Sequence, residues 1–218
     1  MIECVLRKMR GILIAFEGVD GTGKSTQINL LKYRLNATVF KFPDRTTPSG
    51  KILDEHLKKK SIIDGKTEHL LQSANRAEKE YEIIKKLNRG QIVLLDRYFG
   101  SGICYTSAKP HQEFNLPNQE TLFQWSKHAD FHLLEPDITF FFKSSAPYYK
   151  ETEEIYETSS FLEKVQKNFD DLSKEKKWNI INIDDFWMQS NKLNKLLFQK
   201  IKEKALFMKN DFQFKFNN

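Results

Sequence analysis

An apolar run, Ile12-Leu13-Ile14-Ala15-Phe16, leads into Glu17-Gly18-Val19-Asp20-Gly21-Thr22-Gly23-Lys24-Ser25-Thr26, and an amphipathic run, Ile28-Asn29-Leu30-Leu31, follows. Residues 18–25 fit G-x-x-x-x-G-K-[ST] in the strand–loop–helix setting that this pattern requires. The glycines let the backbone turn tightly and aim its N–H groups inward as an anion-binding nest. The helix that follows adds its positive N-terminal end. Lys24 is placed to reach the outer phosphates, and the Ser25 hydroxyl to bind Mg²⁺. A glycine-rich turn that binds nothing is the bland alternative, and eight matched positions in the right context weigh against it.

The rest of the chain repeats the same alternation. Strands are expected at residues 12–17, 38–42, 92–95, 138–142 and 178–183, with the crossover helix of the first over residues 26–35. A short helix is expected at 50–57 and a long one at about 67–88. In the long one Leu70, Ala74, Ala77, Tyr81 and Ile84 recur at spacings of four and three as one apolar stripe. Gln72 and Arg76, four apart, share the opposite face. Residues 100–107 open a further helix, 109–117 read as a polar loop, and 119–128 are helical. Phe161, Val165, Phe169 and Leu172 mark a helix, and Leu193, Leu196, Leu197 and Ile201 mark the last one. Residues 144–158 carry many charges, with Tyr148, Tyr149 and Tyr156 and no aliphatic stripe, and read as a mobile loop. The fold class is therefore α/β: a five-stranded parallel sheet covered by helices on both faces, with ligands at the carboxyl ends of the strands. The chain divides into an N-terminal extension (1–10), one domain (11–205) and a polar, aromatic tail (206–218).

Lys+Arg exceeds Asp+Glu by 35 to 29, giving +6, which suits an anionic ligand. The basic residues are scattered, so a polynucleotide partner has only net charge in its favour. Cys4 and Cys104 are the only cysteines, which argues against a disulfide framework and for a reducing compartment. No apolar run approaches the ~18 residues of a membrane span. The expectation is a soluble, cytoplasmic protein. His128 and His132 are four apart without the H-E-x-x-H order, which argues against zinc.

Asp96 ends an apolar strand, where a phosphate-loop protein needs a carboxylate near Mg²⁺. An N-cap is the alternative use of such an aspartate. Arg97 follows it, and Arg45 lies in a proline-bounded loop, Pro43-Asp44-Arg45-Thr46-Thr47-Pro48, beyond another strand. Guanidinium groups grip phosphates bidentately. A phosphate cradle faced by arginines suits a donor triphosphate and an acceptor that itself carries phosphate. Phosphoryl transfer needs positioning and charge neutralisation more than covalent chemistry. The residues thus point to a small-molecule kinase with an anionic acceptor.

At this point the chain resembles the thymidylate kinase family. Residues 16–26, Phe42-Pro43-Asp44-Arg45, Ser73-Ala74-Asn75-Arg76, and Asp96-Arg97-Tyr98 with Ser101-Gly102 carry the resemblance, which runs from about residue 11 to 184. It implies the P-loop NTPase three-layer fold, ATP as donor to dTMP in nucleotide biosynthesis, Mg²⁺, a homodimer built on helix packing, and a lid near 144–158. ATP would lie on Gly18, Val19, Asp20, Gly21, Thr22, Gly23, Lys24, Ser25 and Thr26, with Ser25 and Asp96 at the metal. Arg45 and Arg97 would hold the acceptor phosphate, Arg76 would bond the thymine edge, and Asp20 would touch the sugar hydroxyl. Phe42, Gln72, Tyr98, Ser101, Tyr105 and Tyr156 complete the expected dTMP site. Lys24, Asp96, Arg97 and Lys150 are the expected catalytic residues.

The chain departs from the family pattern in three places. Gly21 stands where one branch has a phosphate-loop arginine, and residues 144–158 lack the arginine that the other branch has in its lid. Lys150, or Lys143 at the strand end, is then the remaining cation, with charge but without the planar fork. Gln72 stands where the family usually stacks an aromatic residue on the base. These departures keep two alternatives open: a related kinase with a shifted monophosphate acceptor, and a nucleotide-binding protein with low catalytic activity.

Overall fold

Strand β1 (Leu13–Glu17) is the middle of a five-stranded sheet. Around it lie β2 (Thr38–Lys41), β3 (Val93–Asp96), β4 (Ile138–Lys143) and β5 (Asn179–Asn182), in the order β2-β3-β1-β4-β5, and every neighbouring pair is parallel. The computed structural model describes residues 10–145, 159–186 and 188–214. Seven helices are seen among them: α1 (Lys24–Leu35), α2 (Pro48–Leu57), α3 (Gly65–Asn88), α4 (Phe99–Thr106), α5 (Gln119–Ala129), α6 (Ser159–Glu175) and α7 (Ser190–Phe214).

The sheet is buried on both faces because its strands are apolar at successive positions, the pattern of a parallel sheet between helices. In β1, Leu13 and Ala15 point to one core, while Ile14 and Phe16 point to the other. The run Phe140-Phe141-Phe142 obeys the same alternation: Phe141 packs with Phe169 of α6, at 5.2 Å between stacked rings, and its two neighbours join Phe16 on the opposite side. One face is covered by α3, α4 and α6, the other by α1 and α7. Each large apolar side chain sealed in this way contributes about 1.5–3 kcal/mol. Asp137, just ahead of β4, accepts from the Leu13 N–H at 2.8 Å and pairs with both ends of the Arg10 guanidinium.

Register decides where the site falls. Phe16 lies opposite Asp96 in one pairing and Lys41 opposite Asp96 in the other, so β1, β2 and β3 end level. The segments that follow them, the glycine loop, the proline-bounded loop and Asp96-Arg97-Tyr98, emerge side by side.

Three expectations differ from the structure. The apolar stripe of α3 is not its core face: Leu70, Tyr81 and Ile84 are 51%, 78% and 38% exposed, and Ala74 is exposed as well. The buried face carries Glu68, His69, Ser73, Asn75 and Arg76, followed by Ile83 and Leu87. Periodicity identifies residues that share a face; it does not identify what covers them. The segment 109–117 is not simply a polar loop, since it contains a 3-10 turn, His111–Phe114, with Phe114 and Lys109 buried. The last helix also continues past residue 205, through most of the segment expected as a tail.

Candidate active site

The glycine loop is built as its sequence demands. Gly18 has φ +133°, and a Cβ there would lie 2.4 Å from the Phe142 carbonyl oxygen. No other residue fits between β1 and β4 at that point. Gly23 precedes α1 without any side-chain cap, which leaves the first N–H groups of the helix available to an anion.

Lys24 lies along the loop, almost fully buried. It donates to the Val19 carbonyl at 2.6 Å and the Thr22 hydroxyl at 3.3 Å. Burial, and then the charge of Arg97, lower its pKa to about 7. Ser25 donates from its hydroxyl to Asp96 Oδ2 at 3.0 Å, so the last residue of β3 reaches the first turn of α1. This hydroxyl and carboxylate are hard oxygen donors of the kind that suit Mg²⁺. Among the described residues no group of three or more His, Cys, Asp or Glu could hold a metal alone. An ion at Ser25 and Asp96 would complete its shell with water and phosphate oxygens, as Mg²⁺ commonly does.

Arg97 faces the loop. Its backbone is left-handed, φ +64°. Its guanidinium donates to the Gly18 carbonyl (3.0 Å), Asp20 (2.7 Å), the Ser101 hydroxyl (3.1 Å) and the Tyr105 hydroxyl (3.5 Å). The Arg97 charge holds Asp20 down at about 2, and burial pushes Tyr105 up to about 12. Asp20, Arg97, Ser101 and Tyr105 are thus brought together against the loop.

The other expected acceptor residues are more spread out. Arg45 is exposed and pairs with Asp54 of α2 at 2.7 Å. Phe42 and Tyr98 pack at 5.7 Å between ring centroids, and both are core residues, 2% and 1% exposed. Gln72 is half-buried and donates to Glu68 at 2.9 Å. Arg76 is buried and gives Asp130 two bonds of 3.1 Å from Nη1. It lies so close to α4 that a Cβ at Gly102 would sit 2.3 Å from its Nη2. Lys150 and Tyr156 lie outside the described residues. Lys143, the other expected cation, is held by both oxygens of Asp170, at 2.8 and 2.9 Å.

The sequence reading missed three side chains. Asn75 is fully buried and donates to the Asp44 carbonyl (3.1 Å), Thr47 (2.7 Å) and Ser49 (3.1 Å), and it accepts from the Asp44 N–H (2.7 Å). It fixes the loop that carries Arg45 to α3. Its place beside Arg76 in the Ser73-Ala74-Asn75-Arg76 motif was the available signal. The signal at Glu17 is a carboxylate that ends an apolar strand. Asp130 gave none, because its partner is 54 residues away.

A parallel sheet, a phosphate cradle with a hydroxyl–carboxylate pair at its helix end, and an arginine array across from it together define a P-loop kinase. The comparisons narrow the class. A family model, Thymidylate kinase, matches residues 16–192. A thymidylate kinase of Schizosaccharomyces pombe is 39% identical over 178 residues, 78% of this chain and 80% of that one. The human thymidylate kinase is 36% identical over 184 residues, 80% and 82% of the two chains. A solved thymidylate kinase from Candida albicans matches with a TM-score of 0.77 and 32% identity, over 90% of this chain and 93% of the other. The chain belongs to the thymidylate kinase family. Its reaction is the ATP-dependent phosphorylation of dTMP to dTDP.

Proposed function

We propose that residues 18–26 hold the ATP phosphates, that Arg97 and Arg45 hold the dTMP phosphate, and that Arg76 and Gln72 meet the base. The observation that carries this reading is the guanidinium of Arg97, bonded to the Gly18 carbonyl and to Asp20 of the glycine loop itself. One group therefore spans donor and acceptor sides. Asp20 and Tyr105, both on Arg97, border the sugar and phosphate of the acceptor, with Ser101 beside them. Lys24 exchanges its Val19 carbonyl for phosphate oxygens, and the change from a carbonyl to a polyanion raises its pKa, so it carries full charge when the phosphoryl group moves.

Mg²⁺ fits at Ser25 and Asp96, where it would neutralise phosphate charge. Lys150 is assigned as the second transition-state cation, since Lys143 is already paired with Asp170. The exposed apolar face of α3 supports a homodimer: Leu70 and Tyr81 are more than half exposed, on a stripe that water disfavours. No helix among the described residues is long and apolar enough to cross a membrane. A cytoplasmic location is proposed from the low cysteine content, with Cys104 free and buried.

Steady-state kinetics with ATP and dTMP test the assignment. Arg97→Ala is expected to raise KM for dTMP and lower kcat, whereas Lys24→Ala abolishes transfer. Unchanged constants in Arg97→Ala would remove Arg97 from the acceptor site. A second reading, a broadened acceptor range, draws support from Gln72, a polar group anchored to Glu68 in place of a stacking ring. The Candida albicans relative is described as having broad substrate specificity. A panel of pyrimidine and purine monophosphates separates the two readings.

A further inference from the structure

Glu17 is 1% exposed, and the phosphate-transfer reading gives it no role. It ends β1 immediately before the glycine loop, and its side chain reaches the segment that follows β3. Oε1 accepts from the Tyr98 N–H at 3.0 Å, and Oε2 accepts from the Ser101 hydroxyl at 2.5 Å. The Ser101 oxygen in turn accepts from Arg97 Nη1 at 3.1 Å. The chain of bonds runs guanidinium, hydroxyl, carboxylate, and its direction is fixed. Ser101 has a single proton, and by giving it to Glu17 it turns its lone pairs toward Arg97.

The same carboxylate also holds the backbone. Arg97 has φ +64°, a strained conformation for a residue with a Cβ that persists only where the surroundings enforce it. The N–H of Arg97 is fixed by the Phe16 carbonyl at 3.0 Å, and the next N–H, that of Tyr98, by Glu17. Glu17 therefore grips Arg97 at two points, through the peptide behind it and through the hydroxyl in front of its guanidinium. Burial raises the pKa of the Glu17 carboxyl, against the Ser101 bond and the charges of Arg97 and Arg76. A buried carboxylate with no cation in direct contact is costly, and here its two bonds converge on one residue.

We infer that Glu17 is a positioning residue for the reaction, one that sets the Arg97 guanidinium toward the acceptor phosphate through Ser101 and the Tyr98 amide. The inference rests on the reading of Arg97 as an acceptor-phosphate ligand. Glu17→Gln tests it. The Tyr98 N–H retains the amide oxygen, so the new NH₂ faces Ser101 and competes with Arg97 for its lone pairs.

The expected result is a rise of about tenfold in KM for dTMP, the size of one lost bond to a charged group. KM for ATP stays within about twofold, because the cradle keeps its own bonds. In a double-mutant cycle, Ser101→Ala adds little to Glu17→Gln, since both cut the same chain. Equal rises in both KM values, an unchanged KM for dTMP, or full additivity with Ser101→Ala would each overturn the inference. Ser101→Ala keeps the buried carboxylate with its Tyr98 bond, so if Glu17→Gln does not fold, it carries the test alone. An acceptor-specific rise in KM is then expected, and an unchanged value overturns the inference. Arg97→Ala separates the two levels: if it leaves KM for dTMP unchanged, the acceptor reading itself fails. If it raises KM and Glu17→Gln does not, only the role of Glu17 fails.

Discussion

Lys24→Met should stabilise the nucleotide-free protein while ending its activity. Lys24 is 4% exposed, and its pKa falls from the ordinary 10.5 to about 7, mainly through burial. At 1.36 kcal/mol per unit, holding the charged form costs about 5 kcal/mol. Methionine fills similar space without that cost, but the Val19 carbonyl loses its 2.6 Å donor, a charge-assisted bond worth up to about 3 kcal/mol. The net gain is about 2 kcal/mol, or about 5 °C in Tm for a chain of this size. The sign of the pH dependence is determined. The folded pKa lies below the unfolded one, so the penalty is fully present below about pH 7 and fades as pH rises toward 10.5. At about pH 9 some 2 kcal/mol of it remains, while the amine, now neutral in the folded protein, makes only an ordinary bond to Val19 worth about 1 kcal/mol, so the variant's advantage shrinks to about 1 kcal/mol. Thermal melts of both proteins without nucleotide should therefore show a gain at about pH 9 that is roughly half the gain at about pH 6.5. A Lys24→Met protein that is less stable at both pH values, or whose difference from the parent does not change with pH, would refute the reasoning.

Asn75→Ala should cost about 3 kcal/mol, because it leaves the Asp44 N–H and carbonyl without their buried partner, and its loss in chemical denaturation should come with a raised KM for dTMP as the Arg45 loop loosens. Gln72→Phe should lower KM for dTMP about fivefold, at the low end of base–aromatic stacking, and a value unchanged or raised in steady-state kinetics would place the base elsewhere. Tyr81→Glu puts a charge on the exposed face of α3, and sedimentation should show the proposed dimer shifting to monomer; an unchanged sedimentation coefficient would rule that face out.

The sheet was readable in the chain because it is built from short apolar runs whose punctuation is local: glycines after β1, a proline after β2, Asp96 at the end of β3. The loop's role was readable for the same reason, since a pattern of eight contiguous residues, four of them fixed, specifies it. What escaped was everything decided by residues distant in sequence. The stripe of Leu70, Tyr81 and Ile84 was found correctly as a face, but the polar partners that claim the other side of α3 come from elsewhere. Asn75 is buried by the loop before α2, and Arg76 by Asp130 beyond α5. Glu17 looked like the last residue of a strand. Only the left-handed turn at Arg97, which no residue type announces, brings Tyr98 and Ser101 onto its carboxylate.

Helix α3 makes the two faces of the molecule mechanically one. It has 24 residues, about 36 Å of rod at the usual rise. Gln72, Asn75 and Arg76 sit on its inner side, and Leu70, Ala74, Tyr81 and Ile84 on its outer side. Backbone hydrogen bonds make such a rod stiff along its length. A partner docked on the outer stripe would bear on the same helix that carries Gln72 and Arg76, the residues proposed to meet the acceptor base. The loop that carries Arg45 is fixed to the middle of that helix by Asn75.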